Sequence, residues 1–257
     1  TQLGLYELKN GRLSRNPRFS QLDRVGIFDI KQHPNGDLYV VTYGNGICRI
    51  SRNNLHFYNS RNILPTDLVF SIRIAKDGSI YLASDGKGVF ILKDEEITVL
   101  DQDDGLLNNI VYYIYECRNG EIWICTDEGL SIYKDGKFQN IKKIDDISFY
   151  STLWVVEDDA QQKYLGTGNG IIIATQRGDK IQARQLTTED GLPSIEINQG
   201  ACLKDKAGNI WFGTLKGVGC YFPENRFSMN VLPKVMICNV YSMDRNKLLN
   251  DEKGSLD

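Results

Sequence analysis

Histidine is almost missing from this chain. His33 and His56 are its only two in 257 residues. They fall in different parts of one sequence repeat, one in a turn beside Pro34 and one near an outer strand, with no third ligand close by. That excludes an ordinary imidazole metal site and leaves a Ser-His-Asp triad without a well-placed base. No CxxC pair occurs among the six cysteines (Cys48, Cys117, Cys125, Cys202, Cys220, Cys238), and their spacing matches no zinc pattern. No block of five or six basic residues is present and the net charge is −3, so nucleic acid is not an expected partner. No run of 18 apolar residues offers a membrane span, and the first residues, TQLGLYELKNG, lack the charged head and apolar core of a signal peptide. No stretch keeps a 3.6-residue apolar period, so essentially no helix is expected. For the same reason no glycine-rich phosphate loop can open a helix.

What the chain does have is a repeat. Residues 35–47 read NGDLYVVTYGNGI and 77–89 read DGSIYLASDGKGV. The motif returns as NGEIWICTDEGL at 119–130, QQKYLGTGNGI at 161–171 and AGNIWFGTLKGV at 207–218. The aromatics Tyr39, Tyr81, Trp123, Tyr164 and Trp211 step by 42, 42, 41 and 47 residues, as do the hydroxyls Thr42, Ser84, Thr126, Thr167 and Thr214. A period near 40–50 with several short strands per unit marks a β-propeller.

The third repeat shows the strands most clearly. VYYIYEC at 111–117 is β-branched and aromatic, Asn119-Gly120 is a hairpin turn, EIWICT spans 121–126, LSIYK spans 130–134, and Asp135-Gly136 turns into KFQNI at 137–141. Four antiparallel strands of this kind make one blade. Phe28, Phe70, Tyr112 and Leu153 form one inner-strand column, and Ile30, Ile72, Ile114 and Val155 the next on the same face. Both read as apolar faces buried by blade stacking. Trp123 and Trp211 read as wedges between blades. Cys125 shares a small-residue column with Val41, Ala83, Gly166 and Gly213 and reads as packed core. Cys117 should face about Ile122, so all six thiols are expected unpaired.

Thr1, Gly4 and Leu5 match Thr126, Gly129 and Leu130, so residues 1–13 read as the last two strands of an earlier blade. The fold expected is all-β: a propeller of four-stranded antiparallel blades over residues 1–228, five complete and one partial, as a fragment of a seven-bladed ring. Two inner strands would be absent, so the ring of this chain alone should be open. Residues 229–257 leave the repeat and read as a linker and the start of a different domain.

The pattern DGL…N…V followed by a Gly-turn, (I/L)W(I/F)GT and GL resembles the two-component regulator propeller repeat. It is clearest at 190–222, DGLPSIEINQGACLKDKAGNIWFGTLKGVGCYF, while VLPKVMICNVYSMDRNKLL at 231–249 resembles the start of a triple-tyrosine immunoglobulin-like domain. Departures are Gln161-Gln162-Lys163 at one turn and Tyr for Trp at 39, 81 and 164. The resemblance implies the periplasmic sensor region of a Bacteroidetes hybrid two-component histidine kinase. Such a region binds an oligosaccharide from glycan breakdown, dimerises in the parent sensor, and meets the membrane only through a segment outside this sequence. It implies no catalysis and no cofactor in this chain. A protein-binding scaffold and a propeller lyase, lactonase or glycosidase are the alternatives. The run Asp101, Asp103, Asp104 reads as a solvated loop, since glycosidase carboxylates must flank a substrate.

A ligand should meet the end of the propeller that carries the inter-blade loops and the turns between second and third strands. The first-to-second and third-to-fourth hairpins at the other end are tight and generic. Binding candidates are therefore Tyr43, Asn45, Lys87, Asn169 and Lys216 in the turns, with Asp67, Asn109 and Glu196 at the entrances to inner strands. Local loop capping is the competing reading of Asp67 and Asn109.

Overall fold

The 42-residue step resolves into four strands per blade. A computed structural model describes residues 3–52, 54–177 and 180–223. A hairpin comes first, β1 (Glu7–Lys9) and β2 (Arg12–Ser14). The first blade is β3 (Ile27–Gln32), β4 (Leu38–Thr42), β5 (Ile47–Ser51) and β6 (Asn54–Tyr58). The second is β7 (Val69–Ile74), β8 (Ile80–Ser84), β9 (Val89–Lys93) and β10 (Glu96–Leu100). The third is β11 (Val111–Glu116), β12 (Ile122–Thr126), β13 (Gly129–Lys134) and β14 (Lys137–Ile141). A small hairpin, β15 (Lys143–Ile144) and β16 (Ile147–Ser148), precedes the fourth blade. That blade is β17 (Thr152–Glu157), β18 (Lys163–Thr167), β19 (Gly170–Arg177) and β20 (Lys180–Leu186). The fifth shows β21 (Ile197–Lys204), β22 (Ile210–Thr214) and β23 (Gly217–Tyr221).

Every blade pairs antiparallel in chain order, as a propeller requires. The expected strands of the third repeat are met to within a residue or two. Among the described residues the helical ones are three short 3₁₀ turns, Pro17–Leu22, Gln102–Asp104 and Thr188–Asp190. No helix among the described residues is long and apolar enough to cross a membrane. The fourth strand expected of the fifth blade, the boundary at 228 and the domain start at 229–257 lie outside the described residues. Successive inner strands pack on one another from β3 to β21, and β21 also reaches β11. Among the described residues no ladder joins the last blade to the first or to β1–β2.

The repeat motif has a local physical cause. The hydroxyls of Thr42, Ser84, Thr126, Thr167 and Thr214 donate to the carbonyls of Gly46, Gly88, Gly129, Gly170 and Gly217 at 2.7–3.0 Å. Those hydroxyls therefore staple the turn between second and third strands. The glycine is obligatory where the blade's fourth strand lies behind it. A Cβ on Gly46 or Gly88 would lie 2.2 Å from the carbonyl of Tyr58 or Leu100, and both glycines have positive φ.

Blade stacking supplies the core. Trp123 is 7% exposed and packs with Ile144, Phe149, Val155 and Leu165 between the third and fourth blades, as a wedge should. Trp211, in the same column, is 41% exposed. The wedge reading fails there because no described blade follows to cover it. Cys125 is fully buried, as expected, and Cys48, Cys117, Cys125, Cys202 and Cys220 are free thiols. Cys238 lies outside the described residues. Glu116 is the residue that faces Ile122; Cys117 sits one step further and donates its N–H to Glu121.

Candidate functional site at the entrances to the inner strands

The inner strands are not regular. Pairing slips between Ile27 and Asp29, Val69 and Ser71, Val111 and Tyr113, and Thr152 and Trp154. Each slip leaves one extra residue, and these are Phe28, Phe70, Tyr112 and Leu153. A β-bulge turns its side chain away from the regular alternation. The column expected to be buried core is thereby redirected toward the end of the propeller: Phe28 is 50% exposed and the other three are half-buried. Ile30, expected beneath that column, is also exposed, whereas Ile72, Ile114 and Val155 are buried as expected. The sequence carries a signal for this. An aromatic recurs at the bulge in three successive repeats, beside a partner on the other side that is not aromatic.

The redirected rings form a row. Tyr43 meets Phe28 edge-on at 5.4 Å between centroids, Phe28 meets Phe70 at 6.1 Å, and Phe70 meets Tyr112 at 6.1 Å. The Tyr112 hydroxyl donates to Asp127 at 2.8 Å, which anchors one end. Burial, with Asp127 adding to it, pushes that phenol up to about 12. Beneath the row lies a cavity of about 320 Å³, lined from four inner strands by Phe28, Asp29, Lys31, Phe70, Ser71, Tyr112, Tyr113, Gln199, Gly200 and Cys202. Asp29 pairs with Lys31 at 2.6 Å and also accepts the N–H groups of Ile30 and Ile72. Gln199 donates across to the Tyr112 carbonyl at 3.4 Å. Ser71 is 4% exposed, and its hydroxyl has no hydrogen-bond partner. Burial holds the Cys202 thiol up at about 12, which disfavours the thiolate.

The eight expected binding residues are placed at the expected end of the blades but are not brought together, and none lines this cavity. Tyr43 joins the aromatic row and is 65% exposed. Asn45 and Lys87 are exposed turn residues. Asp67 accepts the N–H and hydroxyl of Ser60 at 2.6 and 2.8 Å, and Asn109 accepts the N–H of Gln102 at 2.9 Å. Their carbonyls accept the N–H groups of Gly46 and Gly88 in the preceding blade. Both are loop staples, as the capping reading had it. The N–H groups of Asn169 and Lys216 donate to the motif hydroxyls of Thr167 and Thr214. Glu196 is exposed; its carbonyl accepts from Leu215.

The opposite end is filled by contacts between blades. Lys76 N–H donates to Glu116 at 3.0 Å and Arg118 N–H to Glu157 at 2.9 Å, one repeat apart. The position one repeat before Lys76 is Pro34, which has no N–H to give. There the first two blades are joined instead by Arg49, which pairs with Asp37 at 2.7 Å and with Glu95 at 2.8 Å, and Glu95 also accepts the Tyr58 hydroxyl. His33 and His56 sit at a hairpin turn and on outer strand β6, as expected, and neither is on an inner strand.

Among solved structures, the extracellular domain of BT3049 from B. thetaiotaomicron, assigned to a hybrid two-component system, superposes with a TM-score of 0.77 at 20% identity, covering 99% of this chain and 35% of that one. The extracellular domain of BT4673 from the same organism, assigned to a one-component system, gives 0.71 at 18% identity over 86% of this chain and 30% of that one. The shared feature is the propeller fold. A virginiamycin B lyase from Staphylococcus aureus shares it at 0.55 and 18% identity, over 78% of this chain and 71% of the enzyme. This chain spans about a third of the length of the two extracellular domains. No family model matches the sequence, and no curated protein matches it.

Proposed function

We propose that this chain is part of the extracytoplasmic ligand-sensing region of a hybrid two-component system, and that its ligand is an oligosaccharide released in glycan breakdown. Occupancy would be signalled to a kinase segment of the parent protein, a periplasmic-facing homodimer. The supporting observation is the aromatic row over a polar cavity, set at the loop-bearing end of a fold shared with extracellular domains assigned to signalling systems. Aromatic faces with a few polar groups between them suit a polyhydroxylated ligand. The chain itself acts by binding: the cavity holds one carboxylate, Asp29, engaged with Lys31, and no histidine.

Calorimetry of the intact sensor region with a panel of oligosaccharides, run beside a turnover assay on the same sugars, tests this. Saturable binding with no product is expected. Product formation would favour a propeller lyase or glycosidase, and silence toward every sugar would favour a protein-binding scaffold.

A further inference from the structure

We propose that the cavity under the aromatic row is the ligand site, and that it takes one ring of a neutral glycan in pyranose form. This rests on the sensor reading above and goes further, in that it fixes the residues and the charge of the sugar. Three observations carry it. Ser71 keeps a buried hydroxyl without a partner in the wall of the cavity. A buried hydroxyl is normally satisfied, and a ligand hydroxyl is a partner of the right kind. Phe28, Phe70 and Tyr112 line the cavity as a row, held by contacts of 6.1 Å and by the Tyr112–Asp127 hydrogen bond. Their electron-rich faces attract the C–H groups on one side of a pyranose. The third observation is charge. Asp29 and Lys31 lie together in the wall and neutralise one another, so the cavity offers an acceptor and a donor but no net charge.

That combination selects among ligands. A lipid or a flat aromatic molecule would leave Asp29, Lys31 and Ser71 facing apolar atoms, at a cost in desolvation. A uronate or a sulfated sugar would bring a negative charge against Asp29, with Lys31 already engaged. A neutral sugar gives each group a hydroxyl: Asp29 accepts, Lys31 and the Gln199 amide donate, and Ser71 does either. The volume of about 320 Å³ lies at the small end of ligand sites, room for a terminal ring and not for a chain.

The test uses the full chain and calorimetry with neutral gluco-, manno-, galacto- and xylo-oligosaccharides and with galacturonate oligosaccharides. At least one neutral series should bind and the uronates should not. Phe28→Ala and Ser71→Ala should each weaken binding tenfold or more, while Phe28→Trp keeps it. Ser71→Ala should leave the melting temperature unchanged or higher, because it removes an unsatisfied hydroxyl, and a merely structural serine would not combine those two results. Unchanged affinity in Phe28→Ala and Ser71→Ala would overturn the site while leaving the sensor function standing. Preferential binding of uronates would overturn the neutral-sugar assignment. No binding of any sugar would overturn both this proposal and the sensor reading.

Discussion

The two ends of each blade treat their polar groups differently. At the hairpin end side chains reach between blades: Glu157, with a side chain 2% exposed, takes the Arg118 N–H of the third blade as well as the ammonium of Lys163 in its own blade at 2.6 Å, and that ammonium also lies 5.7 Å from the Trp123 ring. At the loop end the side chains of Asp67 and Asn109 close their own loops, and only their carbonyls reach the preceding blade, at the Gly46 and Gly88 N–H groups. What is left over at the loop end is a row of partly exposed rings and the orphaned hydroxyls of Ser71 and Thr152. A repeat protein has to spend something to hold its units in register. Here side-chain links between blades, such as Lys76–Glu116, Arg118–Glu157 and Arg49–Glu95, lie at one end, and the proposed ligand site lies at the other.

Substitutions can break this contrast. Trp123→Ala at the clamped end should destabilise most, by about 3–5 kcal/mol for loss of a buried indole, read as the midpoint of urea unfolding. Glu157→Ala should follow at about 3 kcal/mol, since it strands a mostly buried ammonium and an N–H. Its melting temperature should fall without loss of strand content. If either variant were as stable as the parent, the hairpin end would not be the clamp.

Alkaline pH gives the next effect. Burial pushes the thiols of Cys48 and Cys117 up to about 12 from an ordinary value near 9. Above pH 9 the unfolded chain loses those protons while the native chain keeps them. The native state then binds more protons, so stability is full below pH 9 and falls as pH rises toward 12, by at most about 1.4 kcal/mol per pH unit for each thiol. Urea midpoints at pH 8, 9 and 10 should decline in that order. Denatured without reductant, the chain should titrate six thiols; four or fewer would mean that the cysteines are paired.

Gln161 sharpens the comparison in the opposite direction. It holds φ at +62° in a hairpin where Gly36, Gly78, Gly120 and Gly208 hold the same sign. Gln161→Gly should stabilise by about 0.5–1 kcal/mol, because a side chain in the left-handed region is strained. The smallest effect belongs to the loop end. Phe28→Ala, removing a ring already half exposed, should change stability by less than about 0.5 kcal/mol. A loss as large as that of Trp123→Ala would make Phe28 core and dissolve the distinction between the ends.

The blade is legible in the local sequence: its period, its four strands, its hairpin glycines and the small column that buries Cys125. Those follow from local chemistry, a hydroxyl closing a turn onto a glycine carbonyl and β-branched residues alternating along a strand, and local chemistry repeats wherever the motif does. Loop variability is visible in one dimension, and it is the ground for expecting a site at the loop-bearing end of the blades. Which residues line the cavity depends on tertiary structure. Phe28, Phe70 and Tyr112 look like core in a strand of period two, and only the bulge, one unpaired residue in the ladder, turns them outward. Trp123 and Trp211 share one motif position and differ in exposure, 7% against 41%. Burial is set by the neighbouring blade, which the motif does not encode. Ser71 became notable for the same reason: whether a hydroxyl finds a partner depends on strands far away in sequence that converge on the axis.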